Sequence, residues 1–163
     1  MLSRNNNPDR FDAVISIPFC HLGLRFSEGQ LISSEYLEPG SEVFQPASPD
    51  VSKLLKQIQS YVNNPAFCFQ IDLKTEGTEF QQKIWKKLIE IPAGTVMTYG
   101  DLAKQTSSSA QAVGNACRAN PVPLIIPCHR VVSANGIGGF AGATDGYLID
   151  IKRRLLRHEG LEF

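Results

Sequence analysis

Cys128, His129 and Arg130 follow one another in "NPVPLIIPCHRV", residues 120 to 131. A thiol attacks as its thiolate, so a reactive cysteine needs a base or a positive charge close by. His129 is of the first type and Arg130 of the second, and together they are expected to lower the Cys128 pKa. Neighbouring side chains rarely face each other, so His129 is expected to reach Cys128 through a bridging water. A third group should orient the imidazole, and Glu159, in "RHEG", is a candidate by type. Pro121, Pro123 and Pro127 lack N–H groups, which excludes a helix and disfavours a central strand. Leu124, Ile125 and Ile126 are apolar enough to be buried. The segment is a stiff, buried approach to a Cys–His pair. Cys20, Cys68 and Cys117 lack such surroundings and read as small, inert hydrophobes.

The elements that must position this group belong to a chain of 163 residues, one domain or a small domain fused to another. With 42% hydrophobic and 20% charged residues the composition is globular. No stretch reaches the ~18 apolar residues of a membrane span. The start, "MLSRNNNPDRF", has no apolar signal region and reads as a frayed end. Four scattered cysteines make no disulfide framework and free thiols suit a reducing compartment, so a cytoplasmic protein is expected. There is no C-x-x-C, and Cys20-His21 is the nearest thing to a metal fragment; neither a metal nor a cofactor is predicted. Residues 1–78 carry 6 Lys+Arg against 9 Asp+Glu, net −3, and residues 79–163 carry 10 against 7, net +3. A basic second half suits a polyanion, although a solvated surface would look the same.

Residues 11–38 alternate in short runs separated by "PFCH" and "SEGQ", which predicts a three-stranded meander. A helix follows, with Val51, Leu54, Leu55, Ile58 and Val62 on one face and Pro65 as its stop. "FCFQIDL" is a candidate further strand. Thr78 is a candidate N-cap for a helix presenting Phe80, Ile84, Trp85 and Leu88, and a turn is expected at Pro92–Gly94. "TYGDLAKQTSSSAQAVGNACRAN" predicts helices at about 99–105 and 109–119 at helix-turn-helix spacing, with Ser107 or Ser108 as the second N-cap. Its small residues, Ala110, Ala112, Val113, Gly114 and Ala116, would let a backbone approach closely; two ordinary packed helices would explain the same pattern. "GYLIDIKRRLLRHEG" predicts an amphipathic helix with basic final turns and Gly160 just past its end.

"GTEFQQKIW", "IPAGTVMTYGDLA", "AVGNACRANPVPLIIPCHRVV" and "HEG", in this order and at close spacing, resemble the methylated-DNA–protein-cysteine methyltransferases that repair O6-alkylguanine. The resemblance is dense over residues 78–160 and looser before. It implies an α+β chain: a ribonuclease-H-like N-terminal domain, residues 1–74, then a mainly helical winged-helix or helix-turn-helix domain, residues 75–163. It implies irreversible, single-use transfer of the alkyl group to Cys128, with His129 and Glu159 as its relay. Asn120 would be the hinge holding the proline-rich segment, Tyr99 would rotate a phosphate, and Arg118 would lie near the site. Gly100, Ala112 and Gly114 would meet DNA on the two helices, and Ala134, Phe140 and Ala141 in "SANGIGGFAG" would wall the base pocket. The implied partner is double-stranded DNA carrying O6-alkylguanine, with O4-alkylthymine a second candidate, bound by a monomer that could act cooperatively. The family places an arginine at position 111 to fill the gap left by the flipped base. Here it is Gln111, which carries no charge and stacks less well. Ala143, where a glycine is common, is a lesser departure.

Three other functions are compatible with parts of the pattern. A non-catalytic lesion binder would lack the acceptor, and Cys128 is present. A thiol-sensing helix-turn-helix regulator would need a dimerisation helix, and no heptad is visible. A cysteine hydrolase would need an oxyanion hole and turnover.

Overall fold

The structure, a computed structural model, describes residues 10–163. Apart from Arg10, which pairs with Glu35 at 2.9 Å, and Phe11, which is buried rather than frayed, the expected frayed start lies outside the described residues. The chain divides into two compact units, Met1–Thr75 and Glu76–Phe163.

In the first unit β1 (Ala13–Ile17), β2 (Cys20–Ser27) and β3 (Gln30–Leu37) form an antiparallel sheet in the order β1-β2-β3. Register sets Ala13 against Leu24 and Ile15 against Leu22, all four fully buried on one face of the sheet. On the other side Phe11 lies over Gly23, where a Cβ would stand 2.7 Å from the ring; this is why a strand interior carries glycine here. Helix α1 (Pro49–Asn63) starts at a proline and buries Val51, Leu54, Ile58 and Tyr61. Tyr61, not Val62, completes its inward face, meeting the rings of Phe19 and Phe69 at 6.0 and 5.6 Å. The strand expected at "FCFQIDL" does not form. The Gln57 side chain of α1 takes both backbone groups of Gln70, leaving only one parallel bridge, Leu31 to Leu73.

In the second unit Thr78 caps α2 (Glu79–Ile89) through a capping box with Gln81. Ile84, Trp85 and Leu88 face inward, and the Trp85 indole donates to the Ala116 carbonyl at 2.9 Å, tying α2 to a later segment of the same unit. The Pro92–Gly94 turn leads to a two-residue strand β4 (Met97–Thr98), and then α3 (Tyr99–Gln105), capped by Thr98 and Asp101, packs on α4 (Ala110–Arg118). The N-cap of α4 is Ser109, one residue beyond those expected. Ser107 takes a left-handed conformation, φ 52°, to make the turn, and Ser108 bonds the Thr106 hydroxyl, so neither is free to cap. The small-residue face holds no close backbone approach at Gly114, where an added Cβ would meet nothing within 4 Å. After a single 3₁₀ turn (Cys128–Arg130), β5 (Val131–Val132) pairs in parallel with β4. Helix α5 (Tyr147–His158) ends at Gly160, φ 91°, with the paired N–H bonds of Gly160 and Leu161 to Arg157 and Leu156 that satisfy the last carbonyls. No helix among the described residues is long and apolar enough to cross a membrane.

Candidate active site

Asn120 shapes the approach to the thiol. Its Oδ1 accepts from the Val122 N–H at 3.0 Å and its Nδ2 donates to the Ile126 carbonyl at 2.8 Å, closing the proline-bearing detour on itself. The reversal inside that detour is Leu124, held at φ 78°, a left-handed conformation that costs a non-glycine residue about 1–2 kcal/mol. Burial of Val122, Leu124, Ile125 and Ile126 offsets it. The stiff run then delivers Cys128, 6% exposed, as the first residue of the 3₁₀ turn.

His129 is 1% exposed, and its Nε2 lies 2.8 Å from Glu159 Oε2. Glu159 also receives two bonds from Arg130, Nε to Oε1 at 2.8 Å and Nη2 to Oε2 at 2.9 Å, while Arg130 Nη1 donates to the Ile91 carbonyl. The carboxyl group is thus paired with the Arg130 guanidinium, and it orients the imidazole. Burial holds His129 below the usual imidazole range, against the pull of Glu159, so the ring is neutral. With Nε2 donating to a carboxylate, the proton sits on Nε2 and Nδ1 keeps its lone pair. Nδ1 is buried and has no hydrogen-bond partner in the protein. An unsatisfied lone pair on a neutral, carboxylate-backed imidazole is a base lacking its proton donor.

The expectation that Arg130 would lower the Cys128 pKa is corrected. Its guanidinium is committed to Glu159, and burial pushes the Cys128 thiol up; the bond from Asn120 and the charge of Lys152 only partly oppose this. Cys128 rests as a thiol, and deprotonation must be coupled to its reaction.

Above the thiol is a cavity of about 280 Å³, lined by Tyr99, Gln111, Gly114, Asn115, Cys117, Arg118 and Cys128, and by residues 139–144. At about 30 Å³ per water this is room for roughly nine waters, the scale of a nucleobase with a substituent. The wall turns at Phe140–Ala143, whose mutual N–H···O bonds of 2.9 Å and positive φ at Ala141 and Gly142 make a tight hairpin turn. Glycine is favoured at position 142: besides φ 85°, a Cβ would lie 3.3 Å from Arg118 Nε. Tyr99 is turned inward, donating to the Gly139 carbonyl at 3.1 Å, and burial pushes its phenol up to about 12.

Of the residues singled out from sequence, Cys128, Tyr99, Gln111, Gly114, Arg118, Phe140 and Ala141 share the cavity, with His129, Glu159 and Asn120 directly behind its floor. Gly100, Ala112 and Ala134 do not line it; Ala134 is exposed in the Ser133–Gly136 turn. Two titratable residues were missed. Cys117, read as an inert hydrophobe, lines the cavity, and burial pushes its thiol up to about 12. Lys152, which the sequence reading did not single out, is fully buried. Its phase carried the signal, because it stands four residues after Leu148 and three and four before Leu155 and Leu156. Among the described residues no cluster of three or more His, Cys, Asp or Glu could hold a metal.

Residues 79–161 match the family model described as the 6-O-methylguanine DNA methyltransferase, DNA binding domain. The chain belongs to the O6-methylguanine DNA methyltransferase family. It is 42% identical over 106 residues to a methylated-DNA–protein-cysteine methyltransferase of Methanosarcina mazei, covering 63% of this chain and 64% of that one. The match thus spans just under two thirds of that relative's length. A namesake from Shigella flexneri is 38% identical over 135 residues, 80% of this chain and 75% of its own. Among solved structures, Mycobacterium tuberculosis OGT in complex with DNA superimposes with a TM-score of 0.75 at 34% identity, covering 90% of this chain and 91% of that one. For this O6-methylguanine DNA methyltransferase family member, the mixed fold of a three-stranded antiparallel sheet and five helices is the shared framework.

Proposed function

We propose that this protein repairs O6-alkylguanine in double-stranded DNA by transferring the alkyl group, once and irreversibly, to Cys128. The observation that carries the proposal is the thiol at the floor of a base-sized cavity, backed by a neutral imidazole whose free lone pair faces no partner. An extruded base fills the cavity and presents its alkyl carbon to the sulfur. The thiol proton passes to His129 Nδ1, directly or through one water, and Glu159 stabilises the imidazolium that results. The Sγ–carbon bond forms as the carbon–O6 bond breaks; that electron pair stays on the guanine, which takes up a proton and leaves unalkylated. No step regenerates the thiol, because displacing the alkyl group from an uncharged thioether would require the cysteine thiolate to leave, and it is a poor leaving group there.

The finer architecture follows from the same proposal. The first unit is read as the ribonuclease-H-like domain, residues 1–74, and the second, residues 75–163, as a helix-turn-helix domain with the β4–β5 pair at its wing. Helix α4 enters the groove with its exposed first turn, Gln111 foremost, while Gly114 and Arg118 border the flipped base. The net +3 of residues 79–163 suits a sequence-independent grip on phosphates.

Incubation with a duplex bearing labelled O6-methylguanine tests this. The expected result is one label per protein, on the Cys128 peptide, with Cys128→Ser binding DNA but accepting nothing. Label on Cys20, Cys68 or Cys117, or more guanine released than protein present, would overturn it. Lesion binding without transfer would point to a non-catalytic binder.

A further inference from the structure

Lys152 has no part in the relay, yet it is fully buried and all three of its ammonium protons are engaged. Nζ donates to the carbonyls of Val131 at 2.7 Å, Ile137 at 2.6 Å and Gly139 at 2.8 Å. Val131 directly follows the acceptor turn, whereas Ile137 and Gly139 belong to the loop that becomes the cavity wall. The Gly139 carbonyl also accepts from Tyr99, and the ammonium stands 5.8 Å from the centre of the Phe140 ring. Among the described residues Lys152 forms no salt bridge with a carboxylate. A buried ammonium without a counter-ion is costly, and an apolar residue would pack there with less penalty.

The titratable groups facing it are Cys128 and His129 from the 3₁₀ turn, Cys117 from α4 and Tyr99 from α3. His129 is neutral or cationic, and Cys117 and Tyr99 are both pushed up to about 12. The remaining anion is the Cys128 thiolate. We propose that Lys152 is a positioning residue for alkyl transfer, clamping the cavity wall to the acceptor turn and setting positive charge beside the forming thiolate. The proposal rests on the alkyl-transfer function above. Burial lowers Lys152 to about 8, so just above neutral pH the clamp loses its charge and one of its three N–H donors.

The test compares two reactions at Cys128, each followed on its own peptide: alkylation by iodoacetamide, which needs only a thiolate, and transfer from free O6-methylguanine base, which also needs the wall. In the wild type the iodoacetamide rate should keep rising with pH, while transfer from the base should fall above about pH 8 as the ammonium deprotonates. In Lys152→Met the iodoacetamide profile should move up by about 1–3 pH units, at least roughly tenfold slower at neutral pH. The half-saturating concentration of free base should rise as well. Lys152→Arg, keeping the charge, should return the iodoacetamide profile toward wild type. A profile of Lys152→Met superimposable on the wild type would overturn the charge role. Wild-type transfer that tracks iodoacetamide up to about pH 10 would overturn the clamp, and needs no variant to fold. Failure of the wild type to take methyl from duplex DNA at any pH would instead overturn the alkyl-transfer function.

Discussion

Replacing Glu159 with glutamine changes one oxygen for one amide group and probes the relay directly. The carboxylate is completely buried and accepts three hydrogen bonds, one from His129 and two from Arg130. A glutamine can accept only through its single oxygen. If that oxygen faces Arg130, its NH₂ faces His129 Nε2, and two donors cannot meet. The ring must then place its proton on Nδ1, which removes the lone pair that would receive the thiol proton. Loss of a positioned general base costs about 10²–10⁴ in rate. The same substitution leaves the Arg130 guanidinium, 12% exposed, without its counter-ion, a change of about 3–5 kcal/mol for a broken buried pair. For a chain of this length that lowers the melting temperature by about 6–20 °C. The assay is the second-order rate of label transfer to Cys128, from duplex and from free base, across pH and below the variant's melting temperature. Both substrates should lose the same factor, since proton removal is common to them. The deficit should shrink as pH rises, because the thiol then ionises without help. A folded Glu159→Gln protein transferring at the wild-type rate near neutral pH would refute the relay. A deficit independent of pH would refute the account of Glu159 as support for a base.

Gln111→Arg should raise the ratio of duplex to free-base transfer rates by up to about 5–150-fold, the equivalent of about 1–3 kcal/mol of stacking and charge, if base extrusion limits repair. An unchanged ratio at matched salt would show glutamine to be an adequate wedge. Methylated Cys128 places an extra methyl in a packed floor, and overpacking of about 1–3 kcal/mol should lower the melting temperature by about 2–12 °C; calorimetry of fully modified protein showing an equal or higher value would contradict this. The raised thiol pKa values of Cys117 and Cys128 contribute stability that is present below the unfolded value of 9.0 and lost as pH rises through it toward the folded values. Thermal scans from neutral to alkaline pH should therefore show a shallower decline for Cys117→Ala than for the wild type, and parallel declines would count against the burial of that thiol.

Local chemistry was legible without the fold. Pro121, Pro123 and Pro127 fix backbone angles wherever they occur, so a stiff approach to Cys128 was readable directly, as were the Thr78 cap, the meander and the Gly160 stop. Each depends on contacts within a few residues or on a period shared by one element. Glu159 could be nominated only by type, 30 residues from His129, and α5 had to pack on the acceptor turn to bring it within 2.8 Å. Tertiary structure reversed the expectation for the thiol. Arg130 had a carboxylate to pair with, so its charge does not serve Cys128, and burial, a property of the whole packed unit, sets the thiol's pKa upward. Lys152 shows the same physics. Composition and charge place a lysine in solvent, whereas three convergent carbonyls from two separate segments hold it inside. Such convergence is created only when the chain closes on itself, so the helical phase of Lys152 could mark it as inward-facing but could not name its partners.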